Sequence, residues 1–191
     1  TTAINPKKTL LAVTEGGLVS VIDNPHAIEF KPDGTEMYII RSEGSVRVSI
    51  EQFTLSTPWD TTTISWTTFK NIKTGCFDSI QQRGLDFKPD GTRMYVIRSD
   101  ATVGNTVAIE QFSLSTAWDT STISWTARTA LQTGCTLSLQ TRGVDFKPDG
   151  TRIFIGNEGN DIIAQYDLTT PWDVTSMTNQ QCSPSIKSDE D

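Results

Sequence analysis

Histidine is nearly absent from this sequence: His26 is the only one in 191 residues. A Ser-His-Asp or Cys-His nucleophile would have to rest wholly on it. With only three cysteines, the chain has too few soft ligands for an ordinary zinc centre, and no metal is expected. No run approaches the ~18 apolar residues of a membrane helix, so no membrane partner is expected. Positive charge is also short, with 16 Lys and Arg against 23 Asp and Glu and a net charge of −7. A phosphate binder normally carries the opposite sign, which argues against nucleic acid. Neither a G-x-G-x-x-G nor a Walker loop occurs, so no nucleotide cofactor is implied, and none of another kind. No N-x-Ser/Thr sequon marks a compartment. The chain begins at Thr1 without a charged-then-apolar leader, so a signal has been removed or the sequence is a piece of a longer one. The hydrophobic share of 36% is still enough to build a core.

Self-similarity is what the sequence does have. FKPDGT occurs at Phe30–Thr35, Phe87–Thr92 and Phe146–Thr151. A short apolar run follows each: MYII from Met37, MYVI from Met94, IFI from Ile153. Then come IEQFTLSTPWD from Ile50, IEQFSLSTAWD from Ile109 and IAQYDLTTPWD from Ile163. ISWT follows at Ile64 and Ile123, and is worn in the third copy to Ser176-Met177-Thr178, which puts Met177 at the tryptophan position. These are three tandem units, at 26–82, 83–141 and 142–191. Residues 1–25 form a partial copy, with Pro6-Lys7-Lys8-Thr9 in the place of the Pro-Asp-Gly-Thr turn.

The period inside a unit is that of strands, short and rich in β-branched and aromatic residues, with no apolar helical face. Pro presets φ in the turn and Gly supplies the positive φ. Four strands per unit follow, in the second at Gly84–Lys88, Arg93–Ser99, Val107–Ser113 and Thr122–Ala127. An all-β chain of four-stranded antiparallel units repeated with a turn signature is expected to be β-propeller-like. The FKPDGT-x-MYVI string resembles TolB-type and YVTN-type propeller repeats. With Gln-Phe-x-Leu-Ser-Thr-x-Trp-Asp added, it is similar to tandem repeats of marine tailed-phage and bacterial surface proteins. That resemblance implies a propeller and a virion or extracellular setting, but no particular activity. A single ring takes about four to eight blades. A longer array, a second chain completing a ring, a small ring of four units and a non-propeller stack are all open, with a ring favoured over a solenoid.

Cys76, Cys135 and Cys182 end equivalent segments of three units, so the expectation is buried thiols not joined within the chain. Trp59, Trp118 and Trp172 read as packing anchors, with Asp60, Asp119 and Asp173 capping a turn. Asp33, Asp90 and Asp149 read as turn residues, since one carboxylate per turn does not make a calcium loop. Glu15, Glu158 and Asp161 give only a faint cation signal. Trp66 and Trp125, on the outer strand, are either inter-blade packing or an aromatic contact surface.

The one constellation resembling a site lies on the first strands: Glu29, Arg83, Asp86, Arg142 and Asp145, with His26 at the arginine position of its unit. These would line a channel wall, either pairing with one another or holding a ligand. Three functions follow. The preferred one is a non-enzymatic structural or interaction module, extracellular or in a virion. Its partners would be other protein chains, including copies completing a ring. The second is a carbohydrate-binding propeller whose equivalent sites give avidity for glycans. The third is a lactonase- or glycosidase-type hydrolase using two of Glu29, Asp86 and Asp145, although no catalytic residue is singled out.

Overall fold

A computed structural model describes residues 11–13, 19–21, 25–43, 47–72, 80–100, 106–131, 135 and 140–186. A two-stranded hairpin, β1 (Leu11–Val13) and β2 (Val19–Val21), precedes three four-stranded antiparallel sheets. The first holds β3 (Pro25–Phe30), β4 (Glu36–Glu43), β5 (Arg47–Leu55) and β6 (Ile64–Asn71). The second holds β7 (Ile80–Phe87), β8 (Arg93–Asp100), β9 (Thr106–Leu114) and β10 (Ile123–Ala130). The third holds β11 (Thr141–Phe146), β12 (Arg152–Asn157), β13 (Ile162–Leu168) and β14 (Met177–Cys182). Each sheet is a meander with strands in chain order, which is the plan of a propeller blade. Among the described residues, no helix is long and apolar enough to cross a membrane.

Each blade is closed at one end by a clasp between two turns. Gly34, Gly91 and Gly150 all sit at φ 71°, and each carbonyl accepts the backbone N–H of Trp59, Trp118 or Trp172. The indole ring then lies on the glycine, where an added Cβ on Gly34 would meet it at 2.3 Å. Only glycine satisfies both the φ and the contact. Asp33 tightens the turn by accepting the Thr35 N–H and hydroxyl at 2.9 and 2.6 Å. The Trp-Asp aspartates cap short 3₁₀ turns, as the pattern suggests: Asp60 accepts the Thr62 N–H, Asp119 that of Ser121, and Asp173 that of Thr175.

Apolar packing joins neighbouring sheets. Tyr38 and Ile40 meet Leu85, Phe87, Met94 and Val96, while Tyr95 and Ile97 meet Phe146, Ile153 and Ile155. The joint also has polar parts. Tyr38 donates its hydroxyl to the Trp118 carbonyl at 2.9 Å, and Tyr95 donates to that of Trp172 at 2.6 Å. The Gln52 amide oxygen accepts the Thr120 N–H, and that of Gln111 accepts the Val174 N–H. A ring and an amide from one blade thus dock on the clasp of the next.

Two ion pairs that the sequence pattern did not reveal are buried in the sheets. Arg41 meets Glu51 at 2.5 Å, and Arg98, with no exposed surface, meets Glu110 at 2.6 Å. Burial raises the Glu110 carboxyl above its ordinary range, against the pull of Arg98. At the matching positions of the third unit stand Asn157 and Ala164, both partners having changed together. Physics explains the coupling, because removing one partner alone strands a buried charge.

The cysteine expectation is corrected: Cys135 and Cys182 form a disulfide, with Cα atoms 5.8 Å apart. The two positions are not equivalent after all. Cys135 follows Ile123 by twelve residues, whereas Cys182 follows Met177 by only five and ends β14. Cys135 lies in the core shared by the second and third sheets, against the neighbouring unit. Cys76 lies outside the described residues.

The ion pairs make a direct prediction. Arg98→Ala and Glu110→Ala should each cost roughly 3–5 kcal/mol in urea unfolding. The double variant Arg98→Asn, Glu110→Ala, which copies the third unit, should cost less than either single change. Additive losses would show that the pair is not coupled.

Candidate functional site

The first strands β3, β7 and β11 run beside one another, one from each sheet. On them the carboxylates occupy one register position: Glu29 opposite Tyr38, Asp86 opposite Tyr95, Asp145 opposite Phe154. Asp86 is the most enclosed. It accepts the Phe87 N–H at 2.7 Å and, across the blade boundary, the Phe146 N–H at 3.0 Å. Burial pushes its carboxyl up to about 7, with the negative charges of Glu29 and Asp145 adding to the shift. Glu29 is also raised, first by burial and then, against the bond from its backbone neighbour Phe30, by Asp145. The three carboxylates therefore share one field.

The basic residues form a separate tier. Burial and the charge of Arg83 lower the His26 pKa, and burial with Arg142 lowers that of Arg83. All three fall where the ladder slips: between Pro25 and Ala27, between Gln82 and Gly84, and between Thr141 and Gly143. Each is the extra residue of a β-bulge, a device that re-aims a side chain. Simple alternation cannot show this, because a bulge shifts the parity of everything before it. Arg142 pairs with Glu158 in the 3₁₀ turn that follows β12, which accounts for one of the faint cation-loop carboxylates; Glu15 lies outside the described residues. On the first strands the carboxylates thus neighbour one another, and so do the basic residues. Among the described residues, no group of three or more His, Cys, Asp and Glu is placed to hold a metal ion.

The outer tryptophans part company. Trp66 is half-buried against the Met37, Ile39, Phe53 and Leu55 cluster, so it is a packing residue. Trp125 is 52% exposed and lies with Phe69, 39% exposed, in a cleft of about 490 Å³ between β6 and β10. Lys70, Asn71, Ile72, Phe112 and Ile123 complete that lining. Phe69 was not foreseen, since the second unit carries Arg128 at the comparable register, opposite Glu110 as Phe69 is opposite Glu51. Nor does Met177 occupy the tryptophan position: it pairs with Leu168 as Ile64 pairs with Leu55, so Asn179, two residues on, stands there.

No family model matches the chain, and no curated protein matches it. Solved structures do. A candidate 6-phosphogluconolactonase of Bacteroides fragilis aligns with a TM-score of 0.51 at 17% identity, over 84% of this chain and 38% of that one. A protein from Lactobacillus plantarum aligns at 0.50 and 20% identity, over 92% and 48%. A second candidate 6-phosphogluconolactonase, from Bacteroides uniformis, aligns at 0.50 and 16%, over 87% and 41%. The fold is β-propeller-like. The chain spans less than half the length of these three structures, and identities this low speak for fold alone.

The carboxylate tier yields a pH prediction. In carboxyl-detected NMR, Asp86 should titrate near 7, and Glu29→Gln or Asp145→Asn should bring it down by removing a neighbouring negative charge. A carboxyl raised in the fold favours folding while protonated. Its contribution is complete below about 4 and fades as pH rises through 7. Titration of Asp86 near 4 would refute the burial argument.

Proposed function

We propose that this chain is a non-enzymatic interaction module built on propeller blades, with the Phe69–Trp125 cleft as its contact surface for another protein chain. The exposed Trp125 ring beside Phe69 carries the reading. Aromatic rings are enriched where interfaces concentrate their binding energy. The inner carboxylates fit a hydrolase less well, because both oxygens of Asp86 already accept backbone N–H groups. Further copies completing a ring belong to the same reading, since three sheets and a hairpin are supplied here and a ring takes about four to eight blades. An extracellular or virion setting is supported by the Cys135–Cys182 bridge, because disulfides persist in oxidising surroundings. The TolB-like, YVTN-like and phage-repeat resemblance agrees with such a setting.

A second reading has its own observation. A Trp ring flanked by Asn71 and Lys70 suits the apolar face and hydroxyls of a sugar, so a glycan could occupy the cleft. One set of measurements separates the readings. On the interaction reading, Trp125→Ala with Phe69→Ala should abolish self-association or partner binding while moving the thermal midpoint little. Saturable shifts of the Trp125 indole N–H by methyl glycosides would establish the glycan reading instead. Turnover of lactones or aryl glycosides, lost in Asp86→Asn, would overturn both.

A further inference from the structure

Trp172 is buried and Trp118 half-buried, but Trp59 is 59% exposed. Its clasp is otherwise the same: φ 65°, N–H bonded to Gly34, ring on that glycine, and Phe30 at 5.3 Å in place of the Phe87 and Phe146 contacts. What differs is the neighbour. At the other two clasps the preceding unit contributes Tyr38 or Tyr95, with ring centroids 6.0 and 6.3 Å from the tryptophan and a hydroxyl bonded to its carbonyl. Opposite each tyrosine stands the glutamine that caps the following turn, Gln52 or Gln111. In the N-terminal hairpin, counting three residues on from Thr9 as from Thr35 and Thr92, the tyrosine position is Ala12. Opposite Ala12 in the hairpin register stands Ser20. The sequence thus has neither the tyrosine nor the glutamine at these two positions. Among the described residues, nothing bonds the Trp59 carbonyl or the Thr61 N–H, the counterparts of the Trp118 carbonyl and the Thr120 N–H.

We propose that Phe30, Gly34, Trp59 and the Trp59 carbonyl form a vacant copy of the inter-blade socket that takes a tyrosine side chain from another polypeptide. The site continues an interface that this chain builds twice. That precedent selects a phenol: the ring tilts against indole and phenylalanine, and the hydroxyl donates to the Trp59 carbonyl. Fixing Trp59 at a left-handed φ holds the platform in place before binding, so little ordering is lost on association.

The probe is N-acetyl-L-tyrosinamide, added to the full chain and followed at the Trp59 indole N–H resonance, which is assigned by its loss in Trp59→Phe. A saturable shift is expected, with N-acetyl-L-phenylalaninamide about fivefold weaker for want of the hydroxyl. Ala12→Tyr should fill the socket from within, protect the Trp59 indole from exchange, raise the thermal midpoint and abolish the response. If that variant does not fold, Ala12→Phe should cover the ring and abolish the response likewise. No response at Trp59, equal responses to the two amides, or a response surviving a folded Ala12 variant overturns the proposal. A response to methyl glycosides without one to tyrosinamide overturns it too, making Trp59 a sugar platform.

Discussion

The clasp of tryptophan on glycine is the constraint from which the rest of the structure follows. A tryptophan at φ 65° costs about 1–2 kcal/mol relative to a right-handed conformation. That strain persists at Trp59, Trp118 and Trp172 because the surroundings determine it three times over: the N–H bonds the glycine carbonyl, the ring covers the glycine, and the following Asp caps the next turn. The result sets the ring and carbonyl of each tryptophan where a neighbouring blade can reach them. The tyrosine and glutamine of that blade then convert a local turn into an intermolecular-style joint within one chain. Stacked repeats depend on such nearest-neighbour interfaces for their stability.

The buried ion pairs show the same economy at a different place. Arg98 and Glu110 lie on one face of the second sheet, two residues apart across the ladder, where a salt bridge is weak evidence of stability but breaking it is expensive. The third unit reaches the alternative solution, Asn157 and Ala164, and Asn157 instead accepts the Asn160 N–H in the next turn and donates to Thr141 across the strands. The two solutions are compatible with one backbone because the pair contributes little to the ladder itself.

The first strands are organised by bulges. An extra residue at His26, Arg83 and Arg142 separates a basic tier from the carboxylates three positions further on. Asp86, enclosed and bonded to amides of two blades, links the second and third units as well as carrying the raised carboxyl. Its chemistry and its structural role are the same contact.

The sequence alone determined the repeat, the four-stranded meander and the turn chemistry. FKPDGT, the Trp-Asp pair and strand-period apolar runs depend on local backbone preference and alternation, which neighbouring residues dictate. Only the tertiary structure decided the rest. Cys135 meets Cys182 because it lies in the core shared with the next blade, and no spacing rule within one unit can show that. Trp125 is open while Trp66 is half-buried, although ISWT is identical in both units, so the tetrapeptide itself does not decide exposure. The tiers of charge hinge on bulges, where one inserted residue reverses the parity that alternation assumes. Local patterns are written in adjacent residues; burial, pairing and the facing of side chains are set by contacts between residues far apart in sequence.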